Sequence, residues 1–157
     1  MTTTTRCLER LLADIADIAR QLDSAAVERG ALLNRRAGLF TAGRALTPPV
    51  RLVDLADAAQ VTTTVVHRAL KRSAPPDATA ADMPGDSGSP LDDLRRIAWR
   101  LAILDEESSD LRSRRGDLFA DGRRQIPPVR LVDLAAAAGL KHPAVAMALA
   151  RRETSAC

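Results

Sequence analysis

The chain carries one unit twice. PPVRLVDLA stands at Pro48 to Ala56 and again at Pro127 to Ala135, and Leu12 to Arg72 aligns with Leu91 to Arg151 without a gap. Close to half of the aligned positions are identical, well beyond what compositional bias produces, so the fold must accommodate two similar structural units rather than one large one. Agreement is densest from Gly43 to Ala59 against Gly122 to Ala138. It falls at Thr62 to Lys71 against Lys141 to Ala150, where the apolar positions persist and the polar ones change. The copies share a scaffold and differ on an outer face.

Between the copies, Ser73 to Pro90 (SAPPDATAADMPGDSGSP) is rich in Pro, Gly, Ser, Ala and Asp and has no periodicity, the composition of a flexible linker. A coil of this length spans roughly 20 to 25 Å. The expected organisation is therefore a module at residues 1–72, a linker at 73–90 and a second module at 91–157. Aromatic residues make up only 2% of the chain and Tyr is absent, so burial must come from Leu, Ile, Val and Ala, the filling of helical bundles. Strand formers are too sparse for a sheet, and the expected class is all-α.

In the first copy Leu8, Leu11, Leu12, Ile15, Ile18, Ala19, Leu22, Ala25 and Ala26 recur at three- and four-residue steps, one apolar helical stripe that continues through Leu32, Leu33, Ala37 and Phe40. No Pro interrupts Cys7 to Ala42, which predicts a helix of about 35 residues and roughly 50 Å. Gly43 is expected to stop it as a left-handed C-terminal cap, and Gly30 is a point where it can kink. The second copy repeats the stripe with Leu91, Leu94, Ile97, Ala98, Leu101 and Leu104, then Leu111, Leu118 and Phe119, closing at Gly122, with Ser108 and Ser109 as a point of interruption. Such helices are too long for modules of this size to cover. Each must pair with another helix, either its counterpart in the other copy as an intramolecular pseudo-dimer or a second chain as a coiled coil.

After Gly43 and a loop ending in Pro48 and Pro49 the chain reads VRLVDLADAAQVTTTVVHRALKR, and after Gly122 it reads VRLVDLAAAAGLKHPAVAMALARR. Each predicts two short helices around a tight turn. Leu55, Ala56, Ala59, Val61, Val66 and Ala69, with Leu134, Ala135, Ala138, Leu140, Val145 and Ala148, fall at the buried positions of a helix-turn-helix. Ala56 and Ala135 are small where two helices must cross closely. Gly139 suits a turn position that needs positive φ, and Gln60 takes that position in the first copy at a modest backbone cost. The pattern resembles the helix-turn-helix of bacterial, actinomycete-like DNA-binding regulators, here duplicated in tandem, and the Ala, Arg, Leu and Asp bias is similar to that of proteins from high-GC bacteria.

What the resemblance implies is a second helix of each pair lying in the major groove of double-stranded DNA, with residues near its N-terminus on base edges and basic residues on phosphate. In the first copy these are Thr62, Thr63, Thr64, His67, Arg68, Lys71 and Arg72, with Thr62 also placed to cap the helix. In the second copy they are Lys141, His142 and Arg151, alongside the less polar Pro143, Ala146, Met147 and Ala150, a poorer reading set. Arg44 and Arg51, with Arg123, Arg124 and Arg130, flank the loop leading into each pair and suit phosphate clamping, although Asp54 and Asp133 can neutralise a neighbour. Arg35, Arg36, Arg114 and Arg115 add basic pairs on the long helices. Two such units held rigidly would read half-sites roughly 34 Å apart. Trp99 and Ile103 form an extra apolar ridge where the first copy has Arg20 and Ser24, fit for contact with the other module or with an outside partner.

Charge is only weakly informative: Lys+Arg 23 against Asp+Glu 20 leave a net +3, with a pI of about 9.5, a mild bias towards anionic partners. Cys7 and Cys157 sit near opposite ends without metal-ligand spacing, and no cofactor is expected. No apolar run reaches transmembrane length and no signal-peptide core is evident, so no membrane is expected and the place would be the cytoplasm, in association with the nucleoid. His67 and His142 are single, no phosphate-binding glycine loop is present, and the carboxylates are scattered, so an enzyme is not expected. The expected function is that of a double-stranded DNA-binding transcriptional regulator. Two alternatives stay open: an adaptor holding another transcription protein or a homodimer partner, and an architectural nucleoid-type protein.

Overall fold

The computed structural model describes residues 3–72 and 89–155. These residues form six helices: α1 (Thr3–Ala45), α2 (Leu52–Ala58), α3 (Thr63–Arg72), α4 (Pro90–Arg124), α5 (Leu131–Ala137) and α6 (His142–Ser155). The class is all-α, as expected, and no strand occurs among the described residues. Most of the expected linker lies outside them. Its last two residues instead start α4: Ser89 accepts the Leu91 amide on its hydroxyl at 3.3 Å and the Asp92 amide on its carbonyl at 2.8 Å. Pro90 takes the first helical position, where its missing N–H costs nothing, and Asp92 and Asp93 follow in the first turn, where the helix dipole favours negative charge.

Both long helices run past the glycines expected to end them. Gly43 and Gly122 are not left-handed caps; among the described residues the only positive φ angles belong to Gln60 and Gly139. What these two glycines supply is space. A Cβ on Gly43 would stand 2.9 Å from Leu55 Cδ2, and one on Gly122 would stand 3.1 Å from Leu134 Cδ2. The freed carbonyls are satisfied by the returning loop, with Val50 N–H donating to Gly43 O and Val129 N–H to Gly122 O, each at 3.0 Å. α1 stays helical through Gly30, and α4 through Ser108 and Ser109.

The described residues divide into two compact units. One holds residues up to Ala26 and from Glu106 onward; the other holds Val27–Asp105. These units cut across the modules 1–72 and 91–157, because each helix-turn-helix packs on the far end of its own long helix and also on the beginning of the long helix from the other copy. In Val27–Asp105 the core is Phe40 of α1, Leu55, Ala56, Ala58 and Ala59 around α2, Val66 of α3 and Leu94 of α4, flanked by Leu91. In the other unit Phe119 of α4, Val129, Leu134, Ala135, Ala138 and Val145 enclose Leu11 and Ile15 of α1, flanked by Leu12. Ile15 and Leu94 occupy the same position of the duplicated sequence, as do Leu12 and Leu91.

Within Val27–Asp105 the helix segments of α1 and α4 run antiparallel. Arg100 forks onto the Glu28 carboxylate at 2.7 and 3.0 Å, Arg35 lies 3.9 Å from Asp93, and Arg29 pairs with Asp105. The Arg29–Asp105 pair is exposed and adds little energy, the Arg100–Glu28 fork is part-buried, and Asp93 is buried; together they hold one register. The core positions of the two helix-turn-helix segments agree with the sequence reading: Leu55, Ala56, Ala59 and Val66, and Leu134, Ala135, Ala138 and Val145, are buried. Val61, Ala69, Leu140 and Ala148 are half-buried around them.

Candidate nucleic-acid interface

α2 ends in a Schellman turn that aims α3. The Gln60 amide donates to Asp57 O at 3.1 Å and the Val61 amide to Ala56 O at 3.0 Å, while Gln60 adopts φ 52° between them. The second copy repeats the turn with Gly139 at φ 61°, Gly139 N–H on Ala136 O at 3.2 Å and Leu140 N–H on Ala135 O at 2.9 Å. Across this turn α5 and α6 are bent by 102°, within the range for a helix-turn-helix. Thr62 stands at the N-terminus of α3 and accepts the Val65 amide at 2.9 Å through its carbonyl; Lys141 does the same for Ala144, also at 2.9 Å.

Val66 anchors α3 in the core, which leaves Thr64, His67, Arg68 and Lys71 on the opposite, exposed face, with Thr63 exposed at the start of the helix. None of these five makes an ion pair among the described residues. Arg72 is exposed at the end of the same helix. Along its first turn α6 exposes Lys141, His142 and Pro143, but Met147 stands where α3 has Arg68 and is 58% exposed. Arg151 is exposed near the end of the described side chains of α6. The two outer faces are chemically unequal, one with hydroxyl, imidazole and cationic groups, the other with a thioether at its centre.

The loop arginines are placed differently from the α3 residues. Arg51 forks onto Asp54 at 2.8 and 2.9 Å, and Arg130 onto Asp133 at 2.8 and 3.0 Å. These bonds hold both carboxyls below the usual carboxylate range and raise the two guanidinium groups above theirs. Arg51 and Arg130 are the N-cap residues of α2 and α5, so each fork ties the entry of its helix to the first turn. Arg44 donates to Val50 O and Arg123 to Val129 O, each at 2.9 Å, bracing the same loops. Arg124 pairs with Asp121 at 3.1 Å. These five side chains are exposed, and each has a partner within its own loop or helix end.

Along the edge of α3 that carries Val65, Arg68 and Arg72, the helix faces α1 across a cleft lined also by Leu33, Arg36 and Phe40. Sequence reasoning did not bring Arg36 and Arg68 together. They lie on opposite sides of α2 and its loops, and no spacing rule links them. Trp99 is 66% exposed and Ile103 half-buried; neither belongs to the two cores. Among the described residues no single helix is long and apolar enough to cross a membrane. No known protein family, curated protein or solved structure matches the chain.

Proposed function

We propose that the protein binds double-stranded DNA as a transcriptional regulator, with α3 entering the major groove and α6 contributing a weaker or protein-facing second surface. The observation that carries this reading is the exposed outer surface of α3: hydroxyls at Thr63 and Thr64, the His67 ring, and the cations of Arg68 and Lys71, which form no ion pair among the described residues, projected by a Schellman turn from a helix-turn-helix core. Such a set offers hydrogen bonds to base edges from its first turn and charge to phosphate from its last. The tandem copies act as an intramolecular pseudo-dimer, a reading supported by each compact unit drawing on both copies. With DNA as partner, the place of action is the cytoplasm, at the nucleoid.

Fluorescence anisotropy with labelled duplexes over a salt series tests the proposal. Binding that weakens steeply as salt rises, with several phosphate contacts' worth of slope, supports it. Absence of binding at low salt overturns it. A regulator also separates a preferred site from random duplex by a large factor, whereas an architectural protein binds both nearly alike. The exposed Met147 favours a protein contact for α6, for which a second transcription protein or a homodimer partner is the fitting class.

A further inference from the structure

The cleft between α1 and α3 joins two chemistries that a DNA backbone does not use together. Leu33, Phe40 and Val65 give it an apolar floor, while the guanidinium groups of Arg36, Arg68 and Arg72 line it, and among the described residues no carboxylate does. None of the three makes an ion pair among the described residues. Arg36 is half-buried, and the loss of water around it, with Arg29 nearby, holds its guanidinium below the usual arginine range. A cation partly withdrawn from water without a counter-ion is costly, and the cost falls when an anion supplies hydrogen bonds and charge together. The cavity holds about 260 Å³, room for a ligand of about 10 to 15 heavy atoms.

The corresponding place in the second copy lacks one of the three guanidinium groups. Met147 stands where Arg68 would be, and Arg115 lies over the Phe119 ring at 6.0 Å from its centroid; burial first and Arg112 second hold its guanidinium below the usual arginine range, with Asp23 acting more weakly in the other direction. The open cationic cleft therefore belongs to Val27–Asp105.

We propose that this cleft is a binding site for a small amphiphilic anion, a carboxylate with an apolar body, held by the guanidinium groups of Arg36 and Arg68 over the Leu33, Phe40 and Val65 floor. Planar guanidinium forks match a carboxylate in a way a point charge does not, and the apolar body takes the floor from water. The site does not rest on the DNA reading. Its regulatory consequence does: Arg68 is shared with the α3 face proposed for DNA, so an anion held there competes with phosphate.

Isothermal titration calorimetry on the full chain, without DNA, tests the site with three probes: octanoate, octanol and inorganic phosphate. The expected result is octanoate binding at least about tenfold tighter than either of the others. Arg36→Gln and, separately, the more exposed Arg68→Gln each weaken octanoate by about tenfold while leaving octanol unchanged. Arg115→Gln leaves all three unchanged. Equal binding of octanol reduces the cleft to an apolar groove, and equal binding of phosphate reduces it to an open cationic surface; either overturns the proposal. So does octanoate affinity that survives both arginine changes in variants with parental circular dichroism. A chain that takes octanoate and no duplex, or duplex and no octanoate, separates this site from the DNA reading.

Discussion

Leu94 of α4 is buried in the same core as Phe40 of α1, so the first helix-turn-helix is closed by a residue from the second copy of the sequence. Ile15 performs the equivalent task beside Phe119. Both Leu94 and Ile15 are fully buried. Truncation of either to Ala removes apolar burial and leaves a cavity, at a cost of about 2 to 5 kcal/mol. Urea denaturation checks this. A loss near zero for Leu94→Ala would show that α4 does not close the core around Phe40.

Glycines in the long helices separate by the space around them. Gly43→Ala sets a methyl against the buried Leu55 side chain at 2.9 Å, and overpacking there is expected to destabilise by about 1 to 3 kcal/mol. Gly30→Ala meets nothing within 4 Å and is expected to stabilise by about 0.5 to 1 kcal/mol, the ordinary helical gain. Thermal melting of the two variants should move in opposite directions.

The left-handed turn residues make a reciprocal pair. Gln60→Gly relieves a side chain at φ 52° and is expected to stabilise by about 1 kcal/mol. Gly139→Ala has open space around the new methyl, so its expected loss of about 1 to 2 kcal/mol comes from the backbone alone. Chemical denaturation of both variants measures the same torsional penalty with opposite sign.

Acid sensitivity follows from the forked carboxylates. Asp54, Asp133 and Glu28 are held below their usual range, in each case first by hydrogen bonds from Arg51, Arg130 and Arg100. Their stabilisation is present above the unfolded carboxylate values and is lost as pH falls through the lower folded values. Melting temperature is therefore expected to drop on acidification below about pH 4. Combining Asp54→Asn with Asp133→Asn should flatten that drop. An unchanged slope in the double variant would remove these forks from the account.

Inequality of the two outer faces gives the functional prediction. Arg68→Ala with Lys71→Ala is expected to weaken duplex binding by about 1 to 3 kcal/mol for each lost contact, while Met147→Ala changes it little. Anisotropy at fixed salt reads both. Equal losses from the two helices would reject the asymmetry.

The helix-turn-helix cores were legible because their positions are set by local rules: small residues at the crossing, a left-handed turn, apolar anchors such as Val66 and Val145. The partners of the long helices were less so. A stripe through Leu11, Ile15 and Ile18 states that a face must be covered, but periodicity carries no information about what covers it, and packing against α5 and α6 emerges only in three dimensions. Gly43 reads as a stop in the sequence because a glycine needed for close approach and one needed for positive φ look alike there. The bonds of Arg44 to Val50 and of Arg51 to Asp54 were not legible in the sequence either. Whether a loop arginine bonds a carbonyl, a carboxylate or nothing depends on a fold of the loop that composition does not specify.

The cross-built cores also set an order of events during synthesis. A nascent chain emerging as far as Arg72 holds a complete helix-turn-helix sequence but lacks Leu91 and Leu94, so that core stays open until the second copy begins to leave the ribosome. Leu11 and Ile15 wait longer, since Val145 closes over them from the last helix. Contacts this distant in sequence slow closure and leave apolar surface exposed in the interval. The stripe from Leu8 to Ile15 is therefore the apolar segment that waits longest for its cover while the chain is being made.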